Sequence, residues 1–157
     1  MEISAHHEYT ADPATVHAMM TDPDWYAAVL DKSGADHHDV HVEGDSVSIH
    51  AEVSAPNQVQ RFTGATLAIE QSFVWHQVAE GWDGVVEAKP ARMPAKMTGT
   101  ATIRPGGPGT IVEYAGDFTV SVPLLGGKLE KLAKPKVMSV IDLQQEVGND
   151  WLAGKRA

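Results

Sequence analysis

Apolar positions recur every second residue through most of the chain and every third or fourth residue in three places, and these two periods predict its elements. The opening "EISAHHEYT" alternates, with Ile3, Ala5, His7 and Tyr9 on one face and Glu2, Ser4, His6 and Glu8 on the other, which predicts a half-buried strand. Asp12-Pro13 then gives a helix N-cap with proline at the first helical position, and Val16, Met19 and Met20 follow at helical spacing. Asp22-Pro23 repeats the signal and opens a second short helix, with Trp25, Tyr26, Val29 and Leu30 on one side and Gly34 as its stop.

From there the period is two. "DVHVEGDSVSIHAEV" reads as a hairpin turning at Gly44-Asp45, with Val47, Ile49, Ala51 and Val53 inward. "TLAIEQSFVWHQV" puts Leu67, Ile69, Gln71, Phe73 and Trp75 on one face. "WDGVVEAKPARM" is a weaker strand in which Pro90 predicts an edge or a bulge. "KMTGTATIR" turns Met97, Gly99, Ala101 and Ile103 inward, "GGPG" is a turn, and "TIVEYAGDFTVSV" alternates Val112, Tyr114, Gly116, Phe118, Val120 and Val122 against polar residues.

The third helical stretch is the long one. Leu125, Leu129, Leu132, Ala133, Val137, Val140, Ile141, Val147 and Trp151 form an apolar stripe that lasts almost to the C-terminus. Pro135 falls inside it, where the lost N–H and the ring predict a kink at a cost of ~3 kcal/mol. Strands with one apolar face need a cover, and the last helix is the piece left to supply it. Gly126-Gly127 lets the chain turn back so that the helix lies in the concave face of its own sheet. The reading is a single α+β domain over residues 1–157: one strand, two short helices, about six antiparallel strands and a long helix.

Composition narrows the chemistry. A net charge of −9 argues against nucleic acid, since phosphate binding rests on clustered Lys and Arg. The one basic cluster, Lys128, Lys131, Lys134 and Lys136, reads as a solvated helix face. The absence of cysteine excludes disulfides, thiolate catalysis and Cys-based zinc sites. No apolar run approaches the eighteen or so residues of a membrane span, and the N-terminus lacks the features of a secretory signal, so no integral membrane contact and a cytoplasmic location are expected.

The element order resembles the START and polyketide-cyclase (SRPBCC) superfamily, whose architecture is the helix-grip fold. "FTVSVPLLGGKLEKLA", "VQRFTGATLAIEQSFVW" and "TADPATVHAMMTDPDWY" are similar to a mostly actinobacterial family within it, known only as a domain of unknown function. The resemblance covers nearly the whole chain, and "VPLLGGKLEKL" is its most specific piece. It implies a curved sheet of about seven antiparallel strands around a long C-terminal helix, and by analogy an internal cavity. It carries over no substrate, cofactor or catalytic residue. Pro135 departs from the pattern, which has glycine or a polar residue near that point.

If such a cavity is present, its wall comes from the inward set: Trp25 and Tyr26 of the second helix, Phe73, Trp75, Met97, Tyr114 and Phe118 of the sheet, and Val140 and Ile141 of the long helix. The same residues can instead pack on one another and leave no room. Gly99, Ala101 and Gly116 vacate volume at neighbouring strand positions and favour a space. Three inward polar residues, His7, Gln71 and Gln144, with Tyr114 beside them, need partners if buried: a ligand's oxygen atoms, or water and backbone. The two short helices and the Pro135 region are the expected mouth.

His6-His7 and His37-His38 point to opposite faces of their strands, and no spaced zinc pattern is present, so no metal is expected. Nucleophile-elbow, phosphate-loop and dinucleotide motifs are absent. Three functions remain: binding or sequestration of a small apolar or amphipathic molecule (a lipid, an isoprenoid or a polyketide-like ring), a cyclase or aromatase using His7 and Tyr114, and a protein-interaction module with a filled core. A cavity too small for anything but water favours the last.

Overall fold

The computed structural model of the protein describes residues 1–155. The first strand, β1 (Glu2–Tyr9), is followed by α1 (Pro13–Met20) and α2 (Pro23–Ser33). Asp12 caps α1 by accepting the Thr15 N–H at 2.9 Å, and Asp22 accepts the Asp24 N–H at the start of α2. Gly34 ends α2 in the left-handed region (φ 87°), where a side chain costs most and glycine costs nothing.

Six strands then meander: β2 (His37–Glu43), β3 (Ser46–Ser54), β4 (Thr66–Val78), β5 (Gly81–Pro90), β6 (Ala95–Gly106) and β7 (Gly109–Val120). Every neighbouring pair is antiparallel, and β1 closes onto β7, giving a curved seven-stranded sheet ordered β1-β7-β6-β5-β4-β3-β2. The connection from β1 to β2 through α1 and α2 carries the chain from one edge of the sheet to the other.

The sheet differs from the sequence reading at Pro90 and after β3. Of the edge or bulge expected at Pro90, the edge is contradicted: its strand is interior, fourth of seven from the β1 edge. Pro90 is tolerated because it is the last residue of β5: pairing with β6 ends at Ala88–Met97, so no β6 carbonyl lacks its donor. The segment after β3 also forms a 3-10 turn (Asn57–Val59) and a one-turn helix, α3 (Gln60–Thr63), which no periodicity announced. It is held locally, by Gln60 Nε2 donating to the Ala55 carbonyl and by the buried Thr63 hydroxyl donating to the Val59 and Gly64 carbonyls.

The long helix α4 (Gly126–Leu152) continues through Pro135 as one element and lies against β1, β7 and α2. Its entry depends on Gly126: a Cβ there would stand 2.2 Å from the Val120 carbonyl oxygen. The expected apolar stripe is only partly right. Leu129, Val147 and Trp151 are buried, but Leu132 is 45% exposed and Val140 37%. The helix turns these two toward solvent near Pro135, so its middle is less tightly covered than its ends.

The core accordingly divides. A large cluster joins Tyr9, Met20, Trp25, Tyr26, Phe73, Trp75, Ile103, Val112 and Trp151. A smaller one joins Ala55, Val59, Ala95, Val120 and Leu129, with Phe62, Met93, Phe118 and Leu125 packed on it. In register, the crossing elements repeat one order. On β4, Leu67 touches the small cluster and Phe73 the large one, with Ile69 and Gln71 between; on β6, Met97 and Gly99 lie between Ala95 and Ala101. On β7, Gly116 lies between Phe118 and Tyr114, and on α4, Ala133, Val137 and Ile141 fill the interval from Leu129 to Val147.

Candidate functional site

That interval leaves a partly open space of about 40 Å³ between the sheet and α4. Ile3, Phe73, Val86, Met97 and Ile141 give it an apolar wall, and Gln71, Tyr114 and Gln144 add polar groups. Gly99 and Gly116 stand directly opposite one another across β6 and β7 and form part of its floor. They do more than vacate volume. A Cβ on Gly99 would lie 2.5 Å from the Ala115 carbonyl oxygen, and one on Gly116 2.8 Å from the Thr98 oxygen. The strands approach too closely here for any side chain, and that approach shapes the floor.

Six of the twelve residues marked from sequence line this space: Gln71, Phe73, Met97, Tyr114, Ile141 and Gln144. The others lie elsewhere. Trp25, Tyr26 and Trp75 are buried in the large cluster, Phe118 packs on the small one, His7 is buried between Tyr9 and Tyr114 without lining the space, and Val140 points outward. No residue of α1 or α2 lines the space, so the two short helices do not form its mouth. Helical spacing alone could not separate Val140 from Ile141, which differ by one step around the same helix. Ile3 and Val86 also line the space and were not among the candidates, although the alternation of β1 turns Ile3 inward.

The polar groups are organised around Gln144. The Tyr114 hydroxyl donates to Gln144 Oε1 at 3.0 Å, and the Tyr9 hydroxyl donates to the Gln144 main-chain oxygen at 3.4 Å. Burial pushes the Tyr114 and Tyr26 hydroxyls well above the usual tyrosine range, so both remain protonated donors. His7 is 2% exposed, with its ring edge-on to Tyr114 (centroids 5.3 Å apart) and to Tyr9 (6.4 Å). Among the described residues, neither His7 nitrogen, nor the Tyr26 hydroxyl, nor the indole N–H of Trp25 or Trp75 has a hydrogen-bond partner.

Burial pulls the His7 pKa below its ordinary value, opposed by the Asp142 carboxylate and assisted by His6. The imidazole is therefore neutral near pH 7. Since the unfolded chain takes up a proton near pH 6.5 and the folded chain resists it, His7 leaves stability intact above that pH and erodes it as the pH falls toward the lower folded value. His50 works in the opposite sense, because its hydrogen bond to Glu70 raises its pKa. Replacing His7 with Leu is expected to flatten the acid side of a plot of denaturation midpoint against pH below about 6.5, the ordinary histidine value. A slope unchanged from the parent would place the acid sensitivity in other groups.

A larger space, about 840 Å³, lies between α2 and the end of α4, lined by Asp22, Asp24, Asp31, Lys32, Asp150 and Lys155 around Ala27, Ala28, Val147 and Trp151. It is a charged surface groove. Among the described residues no three metal-ligating side chains converge, and no helix is long and apolar enough to cross a membrane.

A seven-stranded sheet closed over a long C-terminal helix, with an interior gap between them, is the helix-grip architecture of the START superfamily, and solved structures share it along the chain. The protein TTHA0849 from Thermus thermophilus superposes with a TM-score of 0.70 at 16% identity over 100% of both chains. A STAR-related lipid transfer protein from Xanthomonas axonopodis gives 0.68 at 17% identity, over 97% of this chain and 85% of that one. The di-domain ARO/CYC protein StfQ of the steffimycin biosynthetic pathway gives 0.62 at 11% identity, over 98% of this chain and 52% of its own. The chain belongs to the family described as protein of unknown function DUF2505, whose profile matches residues 4–152. No curated protein matches it in sequence.

Proposed function

We propose that the protein binds one small apolar or amphipathic molecule, of lipid, isoprenoid or polyketide-like character, between its sheet and α4. The observation that carries this is the divided core: the sheet strands pass from one cluster to the other through Gln71, Met97, Gly99 and Gly116, and a space lined by these residues, Ile141 and Gln144 is left where a filled core would be closely packed. The lipid-transfer neighbour supports the class of ligand.

At about 40 Å³ the space admits only water-sized occupants, whereas ligand pockets usually measure ~300 Å³ or more. Binding therefore requires the wall to move. The middle of α4 is the part suited to it, because Pro135 offers no N–H and Leu132 and Val140 already face solvent. Met97, unbranched and polarizable, can reshape the opposite wall. Gln71 and the Tyr114–Gln144 pair would meet the ligand's oxygen atoms. Burying ~300 Å² of ligand surface at ~25 cal/mol per Å² yields roughly 7 kcal/mol before ordering costs, which corresponds to micromolar affinity at best.

Titration with the neutral fluorophore N-phenyl-1-naphthylamine tests this. The account predicts saturable micromolar binding, weakened at least tenfold by Ile141→Phe, whose ring would occupy the space. A failure to bind this and other apolar probes would favour the interaction module with a filled core, which a small space also suits. The cyclase reading has the contact of His7 with Tyr114 and the StfQ likeness in its favour. Binding is preferred because the Tyr114 hydroxyl is engaged by Gln144 and His7 makes no hydrogen bond to a carboxylate that could orient it as a base.

A further inference from the structure

We propose that the end of the molecule where β7 passes into α4 docks on an anionic lipid surface, with Leu124 entering the bilayer interface and the lysines of the first half of α4 meeting the headgroups.

Leu124 is fully exposed (104%) and its backbone lies in the left-handed region, at φ 67°. Leucine is disfavoured there, and no contact inside the protein compensates it. The turn is fixed around it: Ser121 N–H donates to the Pro94 carbonyl, and the Leu125 and Gly126 N–H groups donate to the Val122 carbonyl. The side chain is thus held out in water by an ordered turn.

The segment that follows Leu124 is cationic in a chain whose net charge is −9, and the nearby Asp117 is paired with the N-terminal ammonium at 3.4 Å. Residues 121–141 contain Lys128, Lys131, Lys134 and Lys136, all exposed, and a single carboxylate, Glu130. Glu130 is engaged within the fold: it accepts the Val120 N–H at 3.1 Å and lies 3.5 Å from the N-terminal ammonium. Lys128, Leu132 and Lys136 follow at intervals of four along the outward face, so the 45%-exposed Leu132 sits between cations. The small core cluster, with Phe62, Met93 and Leu125, gathers α3, the β5–β6 hairpin and the β7–α4 turn at this end, which adds the exposed Arg61 and Arg92.

The charge order along α4 is the reverse of what a helix prefers. Its macrodipole favours acids at the start and bases at the end, yet the first turn holds no acid and the last no base. Lysines occupy the first half of the outer face, while Asp142, Glu146 and Asp150 occupy the second. Asp22, Asp24 and Asp31 of α2 line the same groove as Asp150, so the molecule has one acidic end and one basic end tipped by an exposed leucine. An intramolecular role does not account for that separation; an anionic, partly apolar surface does. The docking stands or falls separately from any ligand in the interior.

The test is co-sedimentation of the full chain with vesicles of phosphatidylcholine and phosphatidylglycerol in a ratio of about seven to three, at low ionic strength. Binding is expected on these vesicles, at least tenfold weaker on pure phosphatidylcholine and lost at high salt. Leu124→Asn, which suits the left-handed backbone better than leucine, should retain thermal stability and yet bind about tenfold more weakly. Lys128→Glu combined with Lys131→Glu should do the same, and Lys155→Glu, beside the acidic groove, should change nothing. Equal binding to neutral vesicles, unaltered binding by the Leu124 and lysine variants, or retention of RNA without retention of vesicles would each overturn the proposal.

Discussion

Trp75→Ala is expected to lower the stability of the fold by about 3–5 kcal/mol, which for a chain of this size corresponds to a fall of roughly 6–20 °C in melting temperature. Trp75 is 1% exposed, stacked on Phe73 with ring centroids 6.3 Å apart, and edge-on to His17. Its bed is built for it: Gly84 pairs with Trp75 across β4 and β5, and a Cβ at Gly84 would stand 2.7 Å from the indole. No neighbouring backbone can collapse into the volume an alanine leaves, because the sheet holds it in register. Since small domains are stable by only ~5–15 kcal/mol, a loss of this size takes a large part of the total. Calorimetry measures it, and a fall under about 1 kcal/mol would show that Trp75 is not a keystone of the large cluster.

The second large effect is expected at the floor of the interior space. Gly99→Val should cost about 3 kcal/mol, since the new Cβ meets the Ala115 carbonyl oxygen at 2.5 Å and the Gly116 Cα at 2.8 Å. Both contacts are backbone and cannot swing aside. Gly127→Ala is the internal control: a Cβ there meets nothing within 4 Å, and alanine in a helix is favoured over glycine by roughly 0.5–1 kcal/mol. Chemical denaturation of the two variants should therefore shift in opposite directions. A tolerated Gly99→Val would mean that β6 and β7 can separate at this point, and that the floor is not fixed by the close approach of its two glycines.

Much of the architecture was legible because alternation is a strong constraint. One residue of slip in β4 would move Phe73 and Trp75 to the solvent face, so the face assignment of that strand had a single physical solution. The caps at Asp12 and Asp22 marked α1 and α2 for a similar reason: an aspartate that can satisfy a free N–H, followed by proline, has few other uses. Pro90 left an edge and a bulge equally open, and β5 is no edge: proline is a local signal, while its tolerance depends on where pairing with β6 stops. α3 was missed because one turn held by Gln60 and Thr63 leaves no periodicity to detect.

The candidate site was legible only in part. Inward phase identified Gln71, Met97, Tyr114 and Gln144, but phase does not distinguish a residue that lines a gap from one that fills a core. Trp25, Tyr26 and Trp75 are inward and large, and they belong to the packed cluster. On α4, Ile141 faces the space while Val140, one residue earlier, meets solvent; a stripe of apolar positions wider than the covered face cannot resolve that difference. The charge reversal along α4 was present in the sequence, yet it became informative only once the fold had placed the acidic groove and Leu124 at opposite ends.

The measurement that bears most directly on the central claim is methyl-resolved NMR of the protein titrated with N-phenyl-1-naphthylamine. If a ligand enters between the sheet and α4, the methyl resonances of Ile3, Val86, Met97 and Ile141 should shift together and saturate at one equivalent. Shifts confined to Ala27, Ala28 and Val147 would put the ligand in the surface groove, and unchanged spectra would mean that the interior stays closed to it; either result contradicts the account.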